Sequence, residues 1–236
     1  NEAGGRTLTL YDRLSAQVAY LQVMHRHRPA MIRALEGLID AYVLTRRGRR
    51  GSVGRGSRVR RCGIVRNVRI GPYAVVEGAE LLEDGTVMGC AADPSYIGSG
   101  VQASHFIVLS GSRVEGAVLL DCCFVGQGVR LNRQFSAEHS VVFACSEGDH
   151  GEAVSVLAGP YTVSHHKSTI LIGTYVSFLN AGSGTNMSNH MYKLGPLHQG
   201  ILERGAKTGS ASYLRWPARV GAFSTVLGKH YANFDS

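Results

Sequence analysis

Apolar residues fall at helical spacing from Tyr11 to Val43, with Leu14, Val18 and Leu21 on one face and, past Pro29, Ile32, Leu35, Ile39 and Tyr42 on another. Proline suits the first turn of a helix and breaks an interior, so HRHRPAM separates two helices. Residues 1–48 are therefore read as an N-terminal segment carrying a helical hairpin. From about Ser52 the period changes. VGQGVRL (Val125–Leu131), IGPYAVV, LEDGTVM, IGSGVQA and VEGAVL each start on an aliphatic residue, continue with Gly or an acid, and return to an aliphatic type near the sixth step. The fifth residue of one hexad and the first of the next are two apart, so both face the same side of a short strand. Ala74 with Val76, Ala117 with Leu119, Cys123 with Val125 and Val129 with Leu131 are expected to point inward. Glycine after the aliphatic position eases a corner where φ is positive. One hexad cannot bury its inner side, so many must stack.

This pattern resembles the hexapeptide-repeat superfamily, and the resemblance implies a mainly β fold: a left-handed parallel β-helix with about three hexads per triangular coil. Such a fold departs from the right-handed crossover rule. A right-handed β-helix and a β-sandwich are the competing architectures, since short alternating strands suit both. The phase slips near Cys90 to Tyr96 and again after Ile97, and after Ser146 the hexads become irregular. Residues 49–236 are accordingly read as one β-helix, regular to about 146 and carrying irregular excursions towards the C-terminus. GPYTVSHHKSTILIG, NAGSGTNMSNHMYKLGPLHQGILERGAKT and SYLRWPARVGAF resemble a family of uncharacterised bacterial β-helix proteins catalogued as a domain of unknown function, and the likeness spans nearly the whole chain. Members of that family are longer at both ends. With a start on Asn1 rather than Met, this marks the chain as an expected fragment.

Composition sharpens this picture. Glycine is 30 of 236 residues and proline only six, so many turns are made without proline and a disordered or collagen-like chain is excluded. No run approaches the ~20 apolar residues of a membrane-spanning helix, and no membrane partner is expected. Five cysteines, two of them adjacent, make a poor disulfide framework and point to the reducing cytoplasm. The net charge of +8 is uneven: ten arginines and no acid lie between Asp40 and Glu77. Those arginines suit the phosphates of coenzyme A or a nucleotide sugar. Nucleic acid is disfavoured, because no aromatic residue is interleaved with them to stack on bases.

Seven of the ten histidines lie from His139 onward, in the irregular half. In the hexapeptide acyltransferases that the chain resembles, a histidine takes a proton from an acceptor hydroxyl or amine as it attacks a thioester, a task suited to imidazole. His190 in SNHMYK is the first candidate, with His165 and His166 in VSHHKS beside it. Asn186, Asn189, Lys193, His198 and Lys207 are the candidate substrate-binding residues. The resemblance implies acyl transfer from a coenzyme A thioester to a sugar-like or amino acceptor, in a homotrimer. Zinc is not expected from the histidines, because β-helical carbonic anhydrases carry a His-x4-His pair and this spacing is missing here. The alternative is a non-catalytic assembly or regulatory domain, because VEGAVLLDCCFVGQGVRL is similar to the β-helical tails of sugar-nucleotide pyrophosphorylases.

Overall fold

The computed structural model describes residues 7–48, 50–190 and 199–232, with the backbone alone for Asn189 and His190. Two helices precede a parallel β-solenoid of about ten coils. Helix α1 (Ala16–Met24) begins at Ser15, whose Oγ accepts the Val18 N–H at 3.2 Å. Helix α2 (Pro29–Arg46) opens on the expected proline, whose missing N–H costs nothing in a first turn. It buries Ile32 and Ile39, two helical turns apart on the same stripe.

Each coil has three walls. Strands such as Leu119–Asp121 and Ser136–Glu138 form the first, Phe124–Val125 and Val141–Val142 the second, and Arg130–Asn132 and Glu147–Asp149 the third. All strand pairings among the described residues are parallel, each strand lying on its equivalent in the next coil. The interior is a continuous apolar stack that includes Val76, Leu82, Val108, Val125 and Leu131. Some buried hydroxyls find partners between coils: Ser112 and Ser146 donate to the carbonyls of Gly126 and Gly159 on the following coil.

The repeat differs from three hexads. Arg69 pairs with Thr86 and Leu119 with Ser136, so a regular coil is one position shorter than three hexads would make it. The missing position is at the corner between the first and second walls, since inward Leu120 and Val125 are five apart whereas Val125 and Leu131 are six apart. One sequence reading fails at a corner of full length, where inward Val114 and Leu120 are six apart. Ala74 with Val76, Cys123 with Val125 and Val129 with Leu131 do point inward, but Ala117 occupies a corner with φ of 60° and Leu119 is exposed. The inward pair there is Val118 and Leu120. Two excursions lengthen the coils. Leu81 pairs with Gln102 and Asn186 with Tyr213, so extra chain is looped out between the members of each pair.

Where a large ring enters the prism, a glycine on a neighbouring coil leaves room for it. A Cβ built on Gly85 would overlap the ring of buried Phe106 on the next coil. Gly85→Ala is therefore expected to destabilise the protein by about 1–3 kcal/mol through overpacking. An unchanged denaturation midpoint would show that the ring can move aside.

Candidate functional site in the cleft beneath the hairpin

Side chains that face outward on a solenoid wall are usually polar, but on the second wall Phe124, Val141 and Leu157 are apolar and buried. They are covered by Leu14 and Ala19, with Leu10, Val18 and Val23 packed around them. The hairpin is thus docked on this wall through a small second core. Ring contacts extend it: Phe124 and Phe143 have centroids 5.4 Å apart, and Tyr20 lies 5.3 Å from Tyr175. The segment before α1 is held by Tyr42, whose hydroxyl donates to Asp12 Oδ1 at 2.7 Å. Between the hairpin and the solenoid remains a cleft of about 1580 Å³. That exceeds the roughly 300–1,000 Å³ of an ordinary ligand pocket.

The short corner forms its floor. Asn67, Asp84, His105, Cys122, His139 and Ser155 succeed one another on neighbouring coils, roughly 4.8 Å apart. All have positive φ, between 47° and 55°. Glycine is the default residue for that conformation, and several coils use it at the other two corners, as at Gly78, Gly100, Gly111 and Gly128. Here six consecutive coils carry asparagine, aspartate, histidine, cysteine, histidine and serine in turn, and Gly173 follows them. Residues other than glycine hold positive φ at the other corners too, as at Tyr73, Cys145 and Tyr161, so what sets this corner apart is the run of polar and thiol side chains it presents to the cleft.

The side chains on the floor interact. Asn67 Nδ2 donates to Asp84 Oδ1. Asp84 Oδ2 lies 3.9 Å from His105 Nε2, and Asp121 Oδ1 lies 3.3 Å from His105 Nδ1 at the cleft's shoulder. Cys122 has its thiol pKa raised by partial burial first, then by the nearby carboxylates of Asp121 and Glu138. It is therefore a poor thiolate nucleophile near neutral pH. Its neighbour Cys123 is a small core residue, with burial pushing its pKa to about 12.

The basic stripe divides in two. Arg46, Arg47, Arg50 and Arg69 line the end of the cleft nearest the first coils. Arg60 and Arg66 instead pair with Glu77 and Glu83 on the solenoid surface, contacts worth about 1 kcal/mol or less each. Tyr11, Tyr42 and Tyr175 add aromatic surface to the cleft wall. Burial raises the pKa of Tyr11 and Tyr175, so both stay neutral phenols.

The residues singled out from sequence are scattered by comparison. His165 and His166 are exposed just past the third-wall strand Val163–Ser164, at a different corner from the cleft, with ring centroids 4.3 Å apart. Lys207 is exposed on the third wall. Asn186 lies on a first-wall strand, Asn186–His190, and its Oδ1 accepts hydrogen bonds from the N–H and hydroxyl of Ser188. The backbones of Asn189 and His190 pair with Arg215 and Trp216. Lys193 and His198 lie outside the described residues. The chain leaves the first wall at His190 and rejoins the second at Gly200, and Gln199 and Gly200 line the cleft. The first-wall strand Asn186–His190 thus ends at the corner that forms the cleft floor.

A hexad reading does not single out His105, Cys122 and His139, although their signal is present in the sequence. Polar residues recur at the coil spacing, at positions 67 and 84 and again at 105, 122 and 139. A search at a period of six does not detect them, and the excursion after Met88 throws the second group out of phase with the first.

No helix among the described residues is long and apolar enough to cross a membrane. The profile of the family described as "Domain of unknown function (DUF4954)" matches residues 1–236. An uncharacterized protein of Treponema pallidum (strain Nichols) is 30% identical over 234 residues, covering 98% of this chain and 32% of that relative. The chain thus spans about a third of the length of the curated relative it matches.

Proposed function

The chain belongs to the DUF4954 family, and from that footing we propose that the cleft is the site of a small-molecule transferase of hexapeptide type. In this reading it moves an acyl group from a coenzyme A thioester to a sugar-like or amino acceptor. The observation that carries the reading is the joint placement of four arginines at one end of the cleft and histidines along its floor. Guanidinium groups hold phosphates by paired hydrogen bonds, and the cleft has room for a nucleotide-bearing donor.

His139 is the general base in this reading. It faces the cleft, and among the described residues no side chain is hydrogen-bonded to its ring. As the acceptor oxygen or nitrogen attacks the thioester carbonyl, its proton passes to the imidazole. The coenzyme A thiolate leaves, and the imidazolium then returns the proton to it. Direct transfer is favoured over an acyl-cysteine intermediate because the Cys122 thiol is held protonated. His190 ends the strand from which the chain departs the cleft corner, so it stays a second candidate for proton transfer.

Calorimetry with coenzyme A and turnover with acetyl-coenzyme A and amine or sugar acceptors test this. His139→Ala should lower kcat by ~100- to 10,000-fold with donor binding intact. Arg69→Ala should weaken coenzyme A binding about 10-fold, the worth of one charge-assisted hydrogen bond. A chain that binds neither coenzyme A nor nucleotide sugars would end the reading.

The second reading is a non-catalytic assembly or regulatory domain. It is favoured by the apolar side chains exposed on the terminal coils, Val53 and Ile64 at one end and Leu227 and Tyr231 at the other. Sedimentation would show whether copies associate, including as the homotrimer that the superfamily resemblance implies.

A further inference from the structure

We infer that His105, Asp121 and Cys122 form a binding site for a divalent transition metal of the zinc class. The ligand atoms of these three residues all lie within 4.8 Å of one another. Bond lengths of about 2.0–2.3 Å place tetrahedral ligands roughly 3.3–3.8 Å apart, so side-chain adjustments of up to about 1.5 Å close the set. His105 and Cys122 occupy the same corner position on successive coils, with φ of 52° and 51°. Positive φ at Cys122 turns its side chain away from the alternation of a strand. That brings the thiol to the same side as the neighbouring Asp121 carboxylate.

A second observation, outside the three ligands, points the same way. His105 lies between two carboxylates: Nδ1 is 3.3 Å from Asp121 Oδ1, and Nε2 is 3.9 Å from Asp84 Oδ2. Histidine that ligates a metal through one nitrogen characteristically gives its other N–H to a carboxylate, which fixes the ring and raises its basicity. Asp84, at 3.9 Å just beyond hydrogen-bond reach of Nε2, stands where it would take that outer place once Nδ1 is ligated, and it is itself oriented by the side-chain amide of Asn67. With Nδ1 ligating beside Asp121 and Cys122, the order Asn67, Asp84, His105, metal runs along one corner of the solenoid.

The donor set selects the ion. Thiolate and imidazole favour zinc, cobalt or nickel over magnesium and calcium, which prefer all-oxygen shells. Three protein ligands leave a fourth position open, the arrangement of zinc sites that bind water or substrate. His105 is exposed and lines the cleft, so that position is accessible from it. His139 follows on the coil after Cys122. The metal site does not depend on the acyl-transfer reading, because binding is measured without substrate.

The test uses the full 236-residue chain, stripped with chelator and titrated with Zn²⁺ and with Co²⁺ as a spectroscopic substitute. One equivalent should bind, and cobalt should develop a thiolate-to-metal charge-transfer band. Cys122→Ser should abolish that band, while Cys145→Ser, at another corner, should leave it. His105→Ala and Asp121→Asn should weaken binding by more than the roughly 10–100-fold expected for the outer-shell change Asp84→Asn. Ser155 holds the equivalent corner with φ of 55°, so serine at 122 is compatible with the fold; circular dichroism of each variant checks this. Cobalt binding that is unchanged in Cys122→Ser, or no stoichiometric binding in the parent chain, overturns the assignment.

Discussion

Trp216→Ala is expected to destabilise the C-terminal coils by about 3–5 kcal/mol, the usual cost of truncating a fully enclosed indole. The ring is completely buried, and its Nε1–H donates to the carbonyl of Ile172 at 2.7 Å. It also fills the space left by Gly200, where any Cβ would collide with the ring. Truncation leaves a cavity and a carbonyl without its partner. Stability in a solenoid is nearest-neighbour in character, so the loss should be local. Hydrogen exchange should rise across residues 170–230 and stay low across 97–142. Equal acceleration along the whole chain would show that the coils unfold as one unit instead.

Phe124→Ala should act on a different interface. Phe124 faces outward and is buried by the hairpin, so about 3–5 kcal/mol of packing is lost between α1 and the second wall rather than inside the prism. Limited proteolysis should cut between α1 and α2 faster, while the β signal in circular dichroism persists. Coenzyme A binding should fall with it, because the hairpin supplies one side of the cleft, including Arg46 and Tyr42. A hairpin that stays as protected as before would mean that Tyr20 on Tyr175 and Tyr42 on Asp12 are sufficient to hold it.

The contrast between these two sites shows what the chain discloses before folding. Inward pairs such as Val129 with Leu131 are legible because their spacing of two is local and their burial is demanded by stacking. The hairpin is legible for the same reason, through Ile32, Ile39 and Pro29. Its docking is not, since Phe124, Val141 and Leu157 lie far apart in sequence and become one surface only after the coils are stacked. The cleft floor is hidden by the same arithmetic. A hexad reading places every corner at the same phase, but the short corner removes one position from each regular coil, so a search at a period of six drifts away from the residues that line it. His165 and His166 stand out by being adjacent in the chain, whereas His105 and Cys122, a whole coil apart in sequence, become neighbours only in space.

The short corner has one more consequence. Its outward side chains touch one another along the solenoid axis but not the core, so exchanging histidine for aspartate or cysteine at one level leaves the walls in register. Asparagine, aspartate, histidine, cysteine, serine and glycine all occupy this bend in a single molecule. The bend therefore works as interchangeable type set in a fixed frame, in which a new reactivity can be written by one codon at a time without recasting the scaffold that carries it.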